Sequence, residues 1–279
     1  MMIDLNKIGL FTSGTTYIIA EIGINHSGNI DTAKKLIDSA AKTGCDAVKF
    51  QTYITEKRAP NANNQIRELL KKCELPFEDF EILKRHSEEN NIQFFSTPFD
   101  KESLDYLESI DTQVYKIASF DVENKKFLKQ IANTQKPVIM SVGMASLDKI
   151  EEAHRIITSI NQNLAILHCV SAYPTDELNA NLGIIEVLKN RYKDCIIGQS
   201  DHTVGIKVPL YAVAMGARII EKHYKIDEDM ECIDNVVSIS ENVMKKLVYE
   251  VRELEKIIGD HNKKIIDDET DLLEFKRYS

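Results

Sequence analysis

The chain has no CxxC pair, and its five cysteines (Cys45, Cys73, Cys169, Cys195 and Cys232) are far apart and odd in number. That excludes a disulfide framework and a zinc ribbon and suits reduced thiols in a cytoplasmic protein. Basic excess is also missing: the net charge is −9, which argues against nucleic acid or an anionic membrane surface as the main partner. No apolar run approaches membrane-spanning length. The N-terminal MMIDLNKIGL lacks the basic and apolar regions of a signal peptide, so none is expected. No GxGxxG follows the first β-rich run, and there is no low-complexity tract.

What is present is a regular alternation of short β-rich runs and helical periodicity. The strands are predicted at Tyr17–Ile22, Ala47–Phe50, Phe94–Phe95, Val114–Ile117, Pro137–Met140, Leu164–His168, Cys195–Gly198 and Arg218–Ile220. A helix-periodic segment follows each, for example Leu147, Ile150, Ala153, Ile156, Ile157 and Ile160, with Ser146 as its N-cap. The polar stretch Asn61–Gln65 reads as a long loop. Strict alternation implies a parallel sheet, and eight units imply a closed (β/α)8 TIM barrel. A doubly wound open sheet would need strands of unequal depth. The expected organisation is a barrel over residues 1–260, with 1–16 as an N-terminal cap containing a small hairpin at Met1–Phe11, and a linker-like tail over 261–279.

In such a barrel the chemistry sits at the carboxyl ends of the strands. Those ends carry Glu21, Asn25 and His26; Lys49, Gln51 and Tyr53; Ser96 and Thr97; Lys116, Ser119 and Asp121; Ser141 and Ser146; His168, Ser171 and Tyr173; Asp201 and His202; and Glu221 and His223. Asp234 follows in the last loop. Lys49 and Lys116 each interrupt an apolar strand. A lysine directed into a barrel needs an anion to replace its lost hydration, either a structural carboxylate such as Glu21 or Asp121 or a bound ligand. Two such lysines beside Ser119 and Ser141 point to a bound phosphate or carboxylate. His202 and His223 end neighbouring strands beside Asp201, Glu221 and Asp234. Two imidazoles are too few for a structural zinc site but suit a catalytic divalent ion completed by water and substrate; a plain hydrogen-bonded pair is the alternative. His86, His154 and His261 are expected to be solvated, and the cysteines to be packing residues.

These residues fall in motifs that resemble the sialic acid synthase family, the phosphoenolpyruvate-condensing nonulosonate synthases. The motifs are Ala20-Glu-Ile-Gly-Ile-Asn-His-Ser-Gly-Asn29, Val48-Lys-Phe-Gln-Thr52, Phe95-Ser-Thr-Pro-Phe99, Tyr115-Lys-Ile-Ala-Ser-Phe120, Tyr173-Pro-Thr175, Gly198-Gln-Ser-Asp-His-Thr203 and Glu221-Lys-His-Tyr224. The resemblance implies condensation of phosphoenolpyruvate with the aldehyde of an N-acetylated amino sugar of the N-acetylmannosamine type, giving a nine-carbon 2-keto acid sugar and phosphate. It implies a divalent metal, Mn2+ or Mg2+, on His202 and His223. By motif position Lys49, Lys116, Ser119 and Ser146 match phosphoenolpyruvate-binding groups. Glu21 and Asp234 match carboxylates at the sugar, Asp121 matches a family glutamate, and Gln51, Ser171 and Tyr173 line the site.

The KIASF wording is nearer the pseudaminic, legionaminic and spore-coat polysaccharide branches, and Ser171 stands where sialic acid synthases commonly carry asparagine. The family's C-terminal antifreeze-like domain, which gives an arginine to the partner's site, has no counterpart up to Ser279. The implied partners are therefore a second copy in a homodimer or a separate antifreeze-like domain in trans. A Schiff-base pyruvate aldolase on Lys49 or Lys116, and an inactive barrel subunit partnering a full-length synthase, are the alternative functions.

Overall fold

The computed structural model describes residues 15–260 and 262–277; the predicted hairpin at Met1–Phe11 and His261 lie outside them. In chain order the elements are β1 (Tyr17–Gly23), α1 (Ile30–Ala41), β2 (Ala47–Thr52), α2 (Thr55–Arg58), α3 (Asn64–Cys73), α4 (Phe77–Glu89), β3 (Gln93–Pro98), α5 (Lys101–Ser109) and β4 (Tyr115–Ile117). They continue with α6 (Lys125–Ala132), β5 (Val138–Ser141), α7 (Leu147–Thr158), β6 (Leu164–Cys169), α8 (Gly183–Arg191), β7 (Ile196–Asp201), α9 (Lys207–Ala214), β8 (Ile219–His223) and α10 (Glu241–Ile258). The eight strands pair in parallel in sequence order, and β8 closes on β1. This is the (β/α)8 barrel expected from the alternation. Beyond it, Asp267–Phe275 forms exposed 3-10 turns. Among the described residues no helix is long and apolar enough to cross a membrane.

Strand parity builds two cores. Ile18, Ala20 and Ile22 of β1, with Val48 and Phe50 of β2, face outward and pack against the helices. Tyr17 and Ile19, with Ala47, Phe95, Val114, Ile139, Ala165, Leu167 and Ile219, face inward and fill the barrel's lower interior. The next inward position on each strand is two residues on. On seven of them it falls on Glu21, Lys49, Thr97, Lys116, Ser141, Cys169 and Glu221; on β7, after Ile196, it falls on Gly198, with Ser200 one step further up. One side of each strand therefore changes from apolar to polar as it climbs.

That change explains why the observed strands run past the predicted ones. β7 reaches Asp201 and β8 reaches His223, whereas the apolar runs stop at Gly198 and Ile220. The backbone ladder continues where the inward side chains turn polar. The Asn61–Gln65 stretch also differs: Asn63 caps α3 by accepting from Ile66 N at 2.9 Å, so the helix begins at Asn64. The four-residue α2 has no apolar periodicity that would announce it.

Candidate active site

The inward polar layer closes into a charge-compensated floor. Lys49 Nζ lies 2.7 Å from Glu21 Oε2 and 3.7 Å from Glu221 Oε2, and donates to Thr97 Oγ1 at 3.0 Å. Lys116 Nζ lies 3.6 Å from Glu221 Oε1 and donates to Ser141 Oγ at 2.6 Å. Ser200 donates to Glu221 Oε1 at 2.8 Å, and Gln51 to Glu21 Oε1 at 2.9 Å. All four charged side chains are buried. Lys116 is paired through Glu221, on the far side of the barrel, and not through Asp121.

The two lysines are not equivalent. Burial acts against both ammonium groups. At Lys49 the Glu21 and Glu221 carboxylates outweigh it and raise the pKa. At Lys116 burial wins: Glu221 supports the charge, the Lys49 ammonium opposes it, and the pKa is lowered. Burial also opposes ionisation of Glu221, but Lys116 and Lys49 hold its carboxyl well below the usual range. An added anion would relieve Lys116 most.

Beside Lys116 the β5–α7 turn is tight. Gly143 N donates to Ser119 Oγ at 2.9 Å. A Cβ built at Gly143 would lie 2.3 Å from Ser171 Oγ, 3.0 Å from Ser119 Oγ and 3.2 Å from Cys169 Sγ. Three strand ends thus meet around a residue with no side chain, where hydroxyls and a backbone N–H converge.

On the opposite side β7 and β8 are locked by a buried pair on their outward faces. Asp201 and Lys222 are register partners, and Lys222 Nζ lies 2.7 Å from Asp201 Oδ2. Lys222 also donates to the Thr203 carbonyl. This clamp sets the two residues that follow the register, His202 and His223, whose ring centroids are 5.3 Å apart. His202 Nδ1 donates to Val170 O at 2.7 Å, which leaves Nε2 as its lone-pair nitrogen. Burial, helped by His223, pushes the His202 pKa down to about 4, so its neutral form persists at ordinary pH. His223 Nδ1 lies 3.2 Å from Asp234 Oδ2. Burial opposes the His223 imidazolium, but Asp234 outweighs it and the pKa is raised. A neutral imidazole, a second imidazole backed by a carboxylate, and a neighbouring acidic wall form a donor set that fits a divalent cation. The Tyr173 ring stacks on His202 at 4.0 Å and meets His223 edge-on at 5.6 Å.

Floor and histidines face one cavity of about 230 Å³ at the carboxyl ends of the strands. Of the residues singled out in the sequence, Glu21, Lys49, Gln51, Lys116, Ser119 and Ser171 line it, as do Tyr173, His202, His223 and Asp234. Asp121 and Ser146 are not among its lining residues. Asp121 ends a 3-10 turn at the rim, where its carboxylate accepts from Asn124 at 3.3 Å. Ser146 is exposed and caps α7, accepting from Lys149 N at 3.4 Å. The inward serine of that strand is Ser141. Glu221 takes the place that Asp121 was expected to share as lysine counter-ion; its parity with Ile219 is the signal that could have found it. Arg58, Phe99 and Phe120 also line the cavity, and nothing in the alternation announced them.

The other histidines among the described residues make local contacts away from the cavity's two imidazoles. His26 Nδ1 accepts from Gly28 N, His168 contacts Ala180 O, and His86 lies 2.6 Å from Asp38. His154 lies 3.1 Å from Asp194, so neither helical histidine is simply solvated. His154, Asp194 and Cys195 have donor atoms within 4.8 Å of one another, but the exposed Asp194 already occupies the imidazole. A larger hollow of about 650 Å³ opens at the amino ends of β7 and β8, away from the converging charges.

The NeuB family matches residues 36–263. The chain belongs to the NeuB family. Among curated NeuB relatives it is 39% identical to the N,N'-diacetyllegionaminic acid synthase of Campylobacter jejuni, over 89% of this chain and 79% of that one. It is 35% identical to a pseudaminic acid synthase of the same species, over 91% of this chain and 78% of that one. Its fold superposes on the N-acetylneuraminic acid synthetase of Leptospira borgpetersenii, solved with citrate, at a TM-score of 0.90 and 40% identity, covering 94% and 91% of the two chains. A Thermotoga maritima 3-deoxy-D-arabino-heptulosonate 7-phosphate synthase, at 15% identity and a TM-score of 0.70, shares the fold. The NeuB barrel is thus an enzyme of the sialic, legionaminic and pseudaminic acid synthase class, and its motifs are those that converge on the cavity.

Proposed function

We propose that this NeuB protein condenses phosphoenolpyruvate with the open-chain aldehyde of an acetamido sugar, giving a nine-carbon 2-keto acid sugar and inorganic phosphate. The observation that carries this reading is the meeting, in one cavity of about 230 Å³, of two buried lysines, of which Lys116 is the less compensated, and two imidazoles, one of them backed by Asp234. In this scheme Lys49 and Lys116 take the carboxylate and phosphate of phosphoenolpyruvate, with Ser119, Ser141 and Ser171 as hydroxyl donors. Fixed donors aimed at charge that develops on the phosphate side stabilise its departure. His202 and His223 hold a divalent cation, Mn2+ or Mg2+, which when bound supplies Lewis-acid polarisation of the aldehyde oxygen. Asp234 orients His223, and Glu21 with Gln51 faces the sugar hydroxyls. Carbon C3 of phosphoenolpyruvate bonds to the aldehyde carbon, water adds at C2, and the C–O bond to phosphate breaks.

The test is phosphate release from phosphoenolpyruvate with manganese and a panel of acetamido sugars. Release is expected only with both substrates and is abolished by EDTA. No release with any sugar, also with an antifreeze-like domain added in trans, overturns the reading. The lowered pKa of Lys116 favours one second reading, a Schiff-base aldolase on that amine. Borohydride trapping of a pyruvate adduct that persists in EDTA would select it.

A further inference from the structure

Arg58 is the one cavity-lining cation among the described residues that the scheme above leaves without a task. It ends α2, the short helix inserted between β2 and β3. This helix is tied down at its start. Ile54 N donates to Asp100 Oδ2 at 2.8 Å, and Thr55 N donates to Glu74 Oε2 at 2.8 Å. The Arg58 guanidinium lies 4.4 Å above the Tyr53 ring and 4.3 Å above the Phe99 ring. Those two rings meet edge to face at 6.3 Å, and the Tyr53 hydroxyl is anchored on Leu70 O at 2.8 Å. Ile24 belongs to the same apolar cluster. The fork is therefore fixed in orientation before any ligand arrives. Yet its Nη1 is buried with no hydrogen-bond partner among the described residues. A buried charged donor left unmade is costly and calls for an acceptor.

The surroundings select which acceptor. Burial lowers the Arg58 pKa, while Tyr53, Asp234 and Glu21 support its charge. Its carboxylate neighbours make this wall acidic, so a second anion would meet repulsion here, and the anion-binding capacity lies on the lysine side. A neutral oxygen acceptor next to an apolar surface fits both the free donor and the Ile24, Tyr53 and Phe99 cluster. An acylamino group has that form: a strong carbonyl acceptor with a methyl beside it. Arg58 and His223 are both electrostatic partners of Asp234, so the group would lie near the aldehyde end of the sugar.

We propose that Arg58 is a specificity-determining residue that reads the acylamino substituent of the aldehyde sugar, Nη1 donating to its carbonyl oxygen while its methyl packs on Phe99 and Ile24. This rests on the condensation reading above. A charged hydrogen bond of this kind is worth about 10- to 100-fold in binding.

The test uses the full chain with Arg58→Met, which keeps the unbranched apolar stem without the guanidinium, and Arg58→Lys, which keeps charge without the planar fork. The readouts are KM for the best acetamido sugar, KM for the counterpart bearing a hydroxyl in place of the acetamido group, and KM for phosphoenolpyruvate. Arg58→Met is expected to raise the first by about 10- to 100-fold, to leave the other two unchanged, and so to erase discrimination between the sugars. Arg58→Lys is expected to restore only part of it. Unchanged phosphoenolpyruvate affinity shows that the variant is folded. An equal effect on both sugars, no effect on either, or a wild-type preference for a phosphorylated sugar lacking the acyl group overturns the inference while condensation stands. If wild-type protein turns nothing over, calorimetry with the same acetamido sugars decides separately. Binding weakened by Arg58→Met supports Arg58 although condensation has failed, and absence of binding to the wild type overturns both.

Discussion

The lysine side and the histidine side of the cavity are built by opposite means. Lys49 and Lys116 sit within strands, and their positions follow from the inward parity that also buries Ala47 and Val114. Their charge is balanced across the barrel interior by Glu21 and Glu221. His202 and His223 sit where strands end. They are placed from outside, by the Asp201–Lys222 pair on the outward faces of β7 and β8, and held by the Val170 carbonyl and Asp234. The lysine side is thus rigid because the sheet is rigid. The histidine side depends on one clamp and one loop carboxylate.

The largest expected effect breaks that clamp. Lys222→Met leaves Asp201 buried and unpaired, and removing one partner of a buried pair costs about 3–5 kcal/mol. Urea unfolding is expected to show that loss, with manganese affinity falling alongside it; an unchanged midpoint would mean that the clamp is not what joins the strands. Lys116→Met attacks the other side. It is expected to lower kcat/KM for phosphoenolpyruvate by about 10²- to 10³-fold, as for one preorganised donor, with manganese binding intact by calorimetry. Loss of metal binding in this variant would show that the two sides are not separable.

Asp234→Asn sharpens the contrast from the histidine side. A carboxylate that holds a metal-binding imidazole is worth about 10- to 100-fold in metal affinity, so manganese is expected to bind more weakly by that factor while phosphoenolpyruvate affinity holds. The smallest effect on turnover concerns His26, outside both sides. Burial pushes its pKa from 6.5 down to about 4. The folded-state value is the lower one, so its contribution is present above about pH 6.5 and is lost as pH falls through about 4. Between those values stability should fall by about 1.4 kcal/mol per pH unit on account of this group. Comparison of wild-type and His26→Gln unfolding across that range checks it: the variant should lose this part of the slope.

The same contrast governs how far the residue pattern alone could be read. An inward strand residue is recognisable because an apolar strand interrupted by lysine has few places to put it, and periodicity of two does the rest. Rim residues carry no such mark. Ser146 and Asp121 sit in turns after strands, where a difference of a few residues decides between facing the cavity and capping a helix. Ser146 became the N-cap of α7, while Ser141, one turn earlier and still on the strand, accepts from Lys116. The apolar runs fall short of the strand ends for a related reason: they stop where the inward side chains turn polar, and the hydrogen-bond ladder does not.

By itself the sequence determined the order of βα units, the closed barrel, the two lysines and the two histidines, because each is a local property of spacing and residue type. The tertiary structure alone decided that Glu221 would serve both lysines from across the barrel, that a four-residue helix would lay Arg58 over Tyr53 and Phe99, and that Asp121 and Ser146 would stay outside. Those are relations between side chains distant in the chain, and which of them meet across the closed barrel is something no local pattern encodes.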